Sequence, residues 1–416
     1  MLKNYLKMAF KVLLRRKFFT FISLFGISLT LVVLMVAVAL FDHTFGAYPP
    51  ETKTDRTLGI FFVEFRSPDG HSMINGFAGY TFLDRYVRTL PNVEKVSLYS
   101  FPTTAVSYLN GVPVTSWLKR TDGEFWQILD FKFLEGRPFT PQDEKDRNFV
   151  AVINETTRKR FFSEGPAVGK FLEVDGQHFR VVGVVPDIPI LRIVPFADIW
   201  VPISTAKTDT YRGQKLWGSY LAMVLARQRS DFPMIKDEYR DVLKRVEFPD
   251  PQHYNKAFGE AETLLDLGSR LFLLDRTYGE SPVKRFMAWL IFLMVLFMLL
   301  PTINLVNINV SRIRERSSEI GVRKAFGASS LTLVGQFVVE NVLLTLVGGG
   351  IGFVLSYGVL HFISSTGLIP YAHFGVNYRI FLCGLAITLF FGLLSGVYPA
   401  WKMSRLHPAV ALRGRG

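Results

Sequence analysis

Gly165, Gly169 and Lys170 come closest, of all the residues in this sequence, to a phosphate-binding apparatus. A loop that wraps a nucleotide phosphate needs four residues between its glycines and a serine or threonine after its lysine. Backbone amides and a hydroxyl then surround phosphate and magnesium. Here three residues separate the glycines and Phe171 follows the lysine, so the chain is expected to hold no ATP or Mg of its own. Metal and nucleophile chemistry are no better served. The seven histidines are scattered, with no HExxH pair. No GxSxG elbow exposes a serine. The single cysteine, Cys383, lies in an apolar run and can close neither a disulfide within the chain nor a cysteine metal cluster. No catalytic, cofactor-binding or metal-binding residue is expected, and the chain is read as a non-enzyme. Asn154-Glu155-Thr156 matches a glycosylation acceptor, but Asn154 also fits a helix cap, and the cap is preferred.

The polar chemistry that remains is concentrated in one island, Ser311 to Ser330, reading SRIRERSSEIGVRKAFGASS between two long hydrophobic runs. Its five basic residues (Arg312, Arg314, Arg316, Arg323, Lys324) outnumber Glu315 and Glu319, which puts it on the cytoplasmic face. Ser317 or Ser318 can cap a short helix with Glu319 in its first turn and Arg323 and Lys324 in its last, before Gly327. That order of charge complements the helix dipole. A basic juxtamembrane loop that only fixes topology has the same composition, so the residues alone leave both roles open.

The elements around the island follow from composition. At 416 residues and 49% hydrophobic content, the chain is too apolar for an ordinary soluble protein and too charged to lie wholly in a membrane. Its net charge of +13 is confined to three places: residues 1–17, the island, and the tail from Lys402. Residues 18–310 hold 32 basic and 32 acidic residues. The basic excess therefore flanks membrane segments, and nucleic-acid binding loses its main support.

In chain order, residues 1–17 form an amphipathic cytoplasmic helix, with Lys3, Lys7, Lys11 and Arg15 opposite Leu2, Leu6, Phe10, Leu13 and Leu14, lying on membrane lipid. Residues 18–41 carry no charge and are long enough to span. Residues 42–285 form an extracytoplasmic domain. Further spans follow at 286–311, with Pro301 placed to kink it, at 331–362 and at 380–401, joined by the cytoplasmic loop 312–330 and the outer loop 363–379. The tail 402–416 is cytoplasmic. Within the outer domain, Leu58–Phe65 and Glu94–Tyr99 read as strands, and Thr81–Leu90 as a helix stopped by Pro91. Leu221–Ala226 reads as a strand before a helix capped by Asp231. Asn148–Ile153 is strand-like, Asn154 caps a helix to Phe162, and Asp175-Gly176 turns a hairpin between Gly169–Val174 and Gln177–Val185.

Two features lie inside the spans. Glu340 is the one acid there and is expected to pair with Asn304, Asn307 or a basic residue of a neighbouring helix. Gly348, Gly349 and Gly352, with Ser356, give the small-residue spacing that allows close helix contact, either within the chain or across a dimer.

The string from Glu315 to Ala328, ERSSEIGVRKAFGA, resembles the loop of MacB/FtsX-like permease subunits of ABC transporters. The middle of the chain resembles the MacB-type periplasmic core at Leu134–Phe139, Val152–Glu155, Pro166–Lys170 and Val181–Val185. The chain end from Tyr398 resembles that family's proline-alanine-basic pattern. The resemblance implies a multi-pass α-helical protein of the bacterial inner membrane with four transmembrane helices and both termini cytoplasmic. Between helices 1 and 2 it implies a large extracytoplasmic α+β domain of porter-like β-α-β units with an inserted β-rich subdomain. It also implies a cytoplasmic ABC ATPase partner that binds ATP and Mg and contacts Arg314, Glu315, Arg316, Glu319, Ile320, Gly321, Arg323, Lys324 and Gly327. A second permease copy would complete a homodimer or pseudo-dimer, with a periplasmic adaptor or hydrolase outside. The activity implied is mechanotransmission for export or extraction. The alternative is an FtsX-like regulator that activates an extracytoplasmic cell-wall hydrolase without transport.

Overall fold

In the computed structural model, which describes residues 10, 14–15, 17–163, 165–315, 322, 326, 330–372, 374–375 and 378–404, the chain passes from helix α1 (Lys17–Phe45) into a long β-rich stretch. Its strands are β1 (Thr57–Ile60), β2 (Val63–Arg66), β3 (Met73–Gly76), β4 (Val93–Ser100), β5 (Thr103–Leu109), β6 (Val112–Thr121) and β7 (Glu135–Gly136). They continue with β8 (Val150–Asn154), β9 (Phe171–Val174), β10 (Gln177–Val185), β11 (Ile199–Pro202), β12 (Tyr220–Ala226) and β13 (Lys256–Gly259). Helix α2 (Glu155–Phe162) follows β8, α3 (Phe232–Leu243) follows β12 and α4 (Leu264–Leu273) follows β13. Three long helices close the chain: α5 (Val283–Glu315), α6 (Ser330–Ser365) and α7 (Tyr378–Ser404).

Two compact units result. The long helices, up to Asp42 in α1 and from Met287 in α5, make one; His43–Phe286 with Ile369–Ala372 make the other, the outer unit. Among the described residues, Lys17–Phe45 and Val334–Ser365 are long and apolar enough to cross a bilayer, and Phe381–Phe390 is a shorter apolar stretch. Each expected span lies within a helix that outruns it at both ends. Charge marks where the apolar run stops, whereas backbone hydrogen bonding continues into polar residues such as Lys284, Arg285 and Arg312. α5 runs as one helix through Pro301.

Ten strands of the outer unit form one sheet in the order β1-β12-β4-β6-β11-β8-β10-β7, with β5 added on β6 and β9 on β10. β8 and β10 are parallel with α2 in the connection, and β6 and β11 are also parallel. The expected division into flanking pieces and an insertion survives only as a seam: β4 meets β6 through the single register pair Tyr99 and Thr121. Leu58–Phe65 is two strands, not one. β1 pairs with β12 in the large sheet and β2 joins a three-stranded sheet, β13-β2-β3, the break falling at Phe61-Phe62, while Gly59 keeps its register with Met223 and also bridges to Glu262 (2.7 and 2.8 Å). The Thr81–Leu90 helix is a short α-turn, Tyr80–Phe82, passing into a π-turn at Leu83–Val87.

Local chemistry explains the best-defined pieces. Asp175 (φ 53°) and Gly176 (φ 73°) take the positive φ values of the tight turn between β9 and β10. Along α3, Ile235, Tyr239 and Leu243 recur every four residues and are buried against Leu58, Ile60, Leu98 and Val224. Asp231 does not cap α3. Its carboxylate instead accepts from the Gln228 amide and side chain in the preceding turn. Asn154 does cap α2: its Oδ1 accepts from the Thr157 amide at 2.8 Å while its Nδ2 donates to Asp198 at 3.0 Å, all fully buried. Asn154→Ala removes the cap and one donor to the buried Asp198 carboxylate, and is expected to lower the stability of the outer unit by about 1 to 3 kcal/mol. The midpoint of chemical denaturation measures it, and an unchanged midpoint would refute the role.

Candidate functional site

The small residues of α6 lie against other helices of the same chain. A Cβ placed on Gly348 would fall 2.8 Å from Ile27, one on Gly349 2.6 Å from Leu385, and one on Gly352 3.1 Å from Leu31. The backbones therefore approach α1 and α7 as closely as a missing side chain permits. Ser28 donates to the Gly348 carbonyl at 2.9 Å, fixing the α1 contact, and Ser356 returns its hydroxyl to Gly352 at 2.6 Å. Glu340 is buried, as is its neighbour Asn341.

Of the island, α5 carries Arg314 and Glu315 as its last helical residues. Arg316, Glu319, Ile320, Gly321, Arg323, Lys324 and Gly327 lie outside the described residues. Between them, Val322 is helical and Phe326 ends a turn whose amide donates to the Val322 carbonyl at 3.0 Å. Phe326 is 88% exposed and Val322 45%. Charge counting along the island passes over both.

A dense polar arrangement lies in the outer unit, in the loop between β10 and β11. Arg192, almost fully buried, donates to Glu51 at 2.8 Å, to the Tyr48 carbonyl at 3.2 Å and to the Gly46 carbonyl at 2.6 Å. One guanidinium thereby grips three points of the segment leaving α1. The next two residues, Ile193 and Val194, offer their carbonyls to the Lys119 ammonium, which rises from β6 and is buried beside the Tyr99 ring. At the end of the loop, Asp198 accepts from the Trp117 amide (2.8 Å), Asn154 (3.0 Å) and the Tyr371 hydroxyl (2.8 Å). The Ile190 amide donates to the Pro370 carbonyl at 3.3 Å. So one loop holds the chain just after α1 and also the link between α6 and α7.

Its electrostatics are those of a dry site. Burial pushes the Glu51 carboxyl above its ordinary value, against the pull of Arg192 and Lys119. Burial pushes Lys119 down to about 7, with Glu51 opposing. Sequence reasoning missed this cluster because its members lie far apart in the chain. The available signal was Arg192, one cation in the apolar run from Ile188 to Trp200.

A model of the MacB-like periplasmic core domain matches residues 20–242, and one of the FtsX-like permease C-terminal region matches residues 291–408. The chain belongs to the MacB/FtsX-like family of ABC transporter permeases. The permease is 26% identical over 340 residues to the uncharacterized ABC transporter permease YvrN of Bacillus subtilis (strain 168), covering 79% of this chain and 77% of that one. To YknZ of the same organism, also an uncharacterized ABC transporter permease, it is 24% identical, covering 82% and 78%. To the macrolide export ATP-binding/permease protein MacB of Wolinella succinogenes it is 26% identical, spanning 98% of this chain but 60% of MacB. Among solved structures, the extracellular domain of YknZ from Gram-positive bacteria aligns with 49% of this permease at TM-score 0.37 and 14% identity, covering 98% of that domain. The periplasmic region of MacB from Actinobacillus actinomycetemcomitans aligns with 54% at TM-score 0.36 and 14% identity, covering 94% of that region.

Proposed function

We propose that this permease is the non-catalytic membrane subunit of an ABC complex, with four spans, cytoplasmic termini and an outer unit whose shape is driven by a separate ATPase. The observation that carries this reading is the loop from Ile190 to Asp198, which holds both the exit of α1 and the link from α6 to α7. Motion of these helices, imposed at the island by ATPase closure, reaches the large sheet through Arg192, Lys119 and Asp198. Export or extraction follows if the outer unit delivers substrate to a periplasmic adaptor. Hydrolase activation follows if it instead moves a cell-wall enzyme. The names of the MacB relatives favour export. A second copy of the chain supplies the other half of the complex, and ATP and Mg bind the ATPase alone.

Two measurements test this. With Cys383 replaced by serine, single cysteines at the exposed Lys145 and Lys256 are expected to react with an impermeant thiol reagent in spheroplasts, while cysteines at Ser318 and Gly414 stay unlabelled. Labelling at Ser318 would overturn the topology. Purified alone, the permease is expected to show no ATP hydrolysis, and to acquire it when co-expressed with its ATPase. Stoichiometric turnover by the isolated homogeneous chain would sink the assignment.

A further inference from the structure

The outer unit contains an apolar cavity of about 280 Å³ that the coupling reading does not use. One wall is a row of three phenylalanines, Phe62, Phe77 and Phe101, stacked nearly parallel at 5.4 and 5.1 Å between centroids. α4 supplies the facing Leu267 and Leu271. A dry apolar cavity of roughly 150 Å³ is enough to admit benzene, so this space accommodates a longer apolar group. Leu271 is 57% exposed, so the cavity has a mouth.

Three of its wall residues, Phe62, Leu267 and Leu271, also line a second cavity of about 710 Å³ that has charged residues in its wall. The carboxylates there already have partners: Glu260 pairs with Arg240 (2.8 Å), Glu262 with Arg270 (2.6 Å) and Asp275 with Arg285. Arg276 alone among the charged lining residues makes no ion pair or hydrogen bond among the described residues, and it is exposed. An apolar chamber opening beside an unpaired guanidinium matches one kind of molecule, an alkyl chain with an anionic head.

The supply route is built into α4. A Cβ at Gly268 would meet the Phe45 ring at the end of α1, and Phe272 packs on Phe286 near the start of α5, with ring centroids 5.2 Å apart. The helix that walls the cavity is therefore in contact with the residues where the chain leaves and re-enters its apolar helices. Phe272 and Leu274, 56% and 86% exposed, extend the apolar strip from the mouth. We propose that the Phe62-Phe77-Phe101 cavity takes the alkyl chain of an anionic amphiphile from the outer leaflet, with its head on Arg276.

The test uses the full chain in phosphatidylcholine nanodiscs and needs no ATPase, so its failure leaves the coupling reading standing. A trace of phosphatidylglycerol bearing a diazirine in its acyl chain is photolysed, and adducts are mapped by peptide mass spectrometry. Adducts are expected on peptides carrying Phe62, Phe77, Phe101 and Leu271, at least fivefold more than from the matching phosphatidylcholine probe. Arg276→Glu is expected to remove that preference. Leu271→Asp, at an exposed position, is expected to abolish cavity adducts while those along α5 persist and the unfolding midpoint is unchanged. Adducts confined to the long helices, or cavity adducts undiminished in Leu271→Asp, would overturn the site. Cavity labelling by free diazirine palmitate but not by the phospholipid would overturn the outer-leaflet source.

Discussion

Arg192→Met is expected to cost the outer unit about 3 to 5 kcal/mol, because it leaves the Glu51 carboxylate buried without its cation. Two carbonyls, of Gly46 and Tyr48, lose their donor in the same step. The double variant Arg192→Met with Glu51→Gln is expected to recover much of the loss, since a neutral amide needs no counter-charge at this site. Chemical denaturation of the three proteins measures the effect. Equal stability of the single and double variants would show that charge is not what Arg192 contributes.

The pH dependence gives a second check on that result. Burial holds the folded-state pKa of Glu51 above the ordinary carboxylate value of 4.5, so folded protein binds this proton more readily than unfolded chain. Such a group stabilises the fold more as pH falls from the folded pKa towards the unfolded one. Without Arg192 the folded pKa rises further, so the deficit of Arg192→Met should shrink as pH is lowered from 7 towards 4.5. A deficit independent of pH would assign the loss to the carbonyl contacts instead. Because the same residue grips the exit of α1, the variant should also uncouple: ATPase activity would persist while the outer unit stops responding to nucleotide.

What could be foreseen from the sequence divides along a physical line. The β9–β10 turn was readable because Asp175-Gly176 carries its own conformational preference, and Asn154 because a cap is a contact three residues long. The apolar helices were readable from missing charge, though their ends were not, since Lys284 and Arg312 continue a helix that hydropathy had stopped. The split of Leu58–Phe65 between two sheets follows from its distant partners, β12 for Thr57–Ile60 and β13 for Val63–Arg66, each well over a hundred residues away, and no local pattern encodes that. The Arg192 cluster was hidden for the same reason. Its partners Gly46, Tyr48 and Glu51 precede it by over a hundred residues, and Tyr371 follows Asp198 by a larger interval still.

Phe326→Ala is expected to reduce recovery of the ATPase with the permease by about thirtyfold, the equivalent of about 2 kcal/mol and typical of an aromatic anchor at the centre of an interface. The residue is 88% exposed, so truncating it removes little that holds the chain itself together. The island's charges are addressed separately. Glu319→Lys with Arg323→Glu keeps the net charge, and so keeps the topology signal, while setting like charges against whatever grooves the ATPase presents. That juxtaposition costs several kcal/mol at a partly desolvated interface, whereas losing the exposed pair alone costs about 0.2 to 0.5 kcal/mol. Both variants should leave the outer unit folded and responsive to its own partner, because the island and that unit are distinct in the fold. Co-purification and nucleotide turnover read the outcome directly. If Phe326→Ala and the charge swap both retain full ATPase recruitment and activity, the island's basic residues do nothing beyond orienting the helices, and the drive to the outer unit must enter elsewhere.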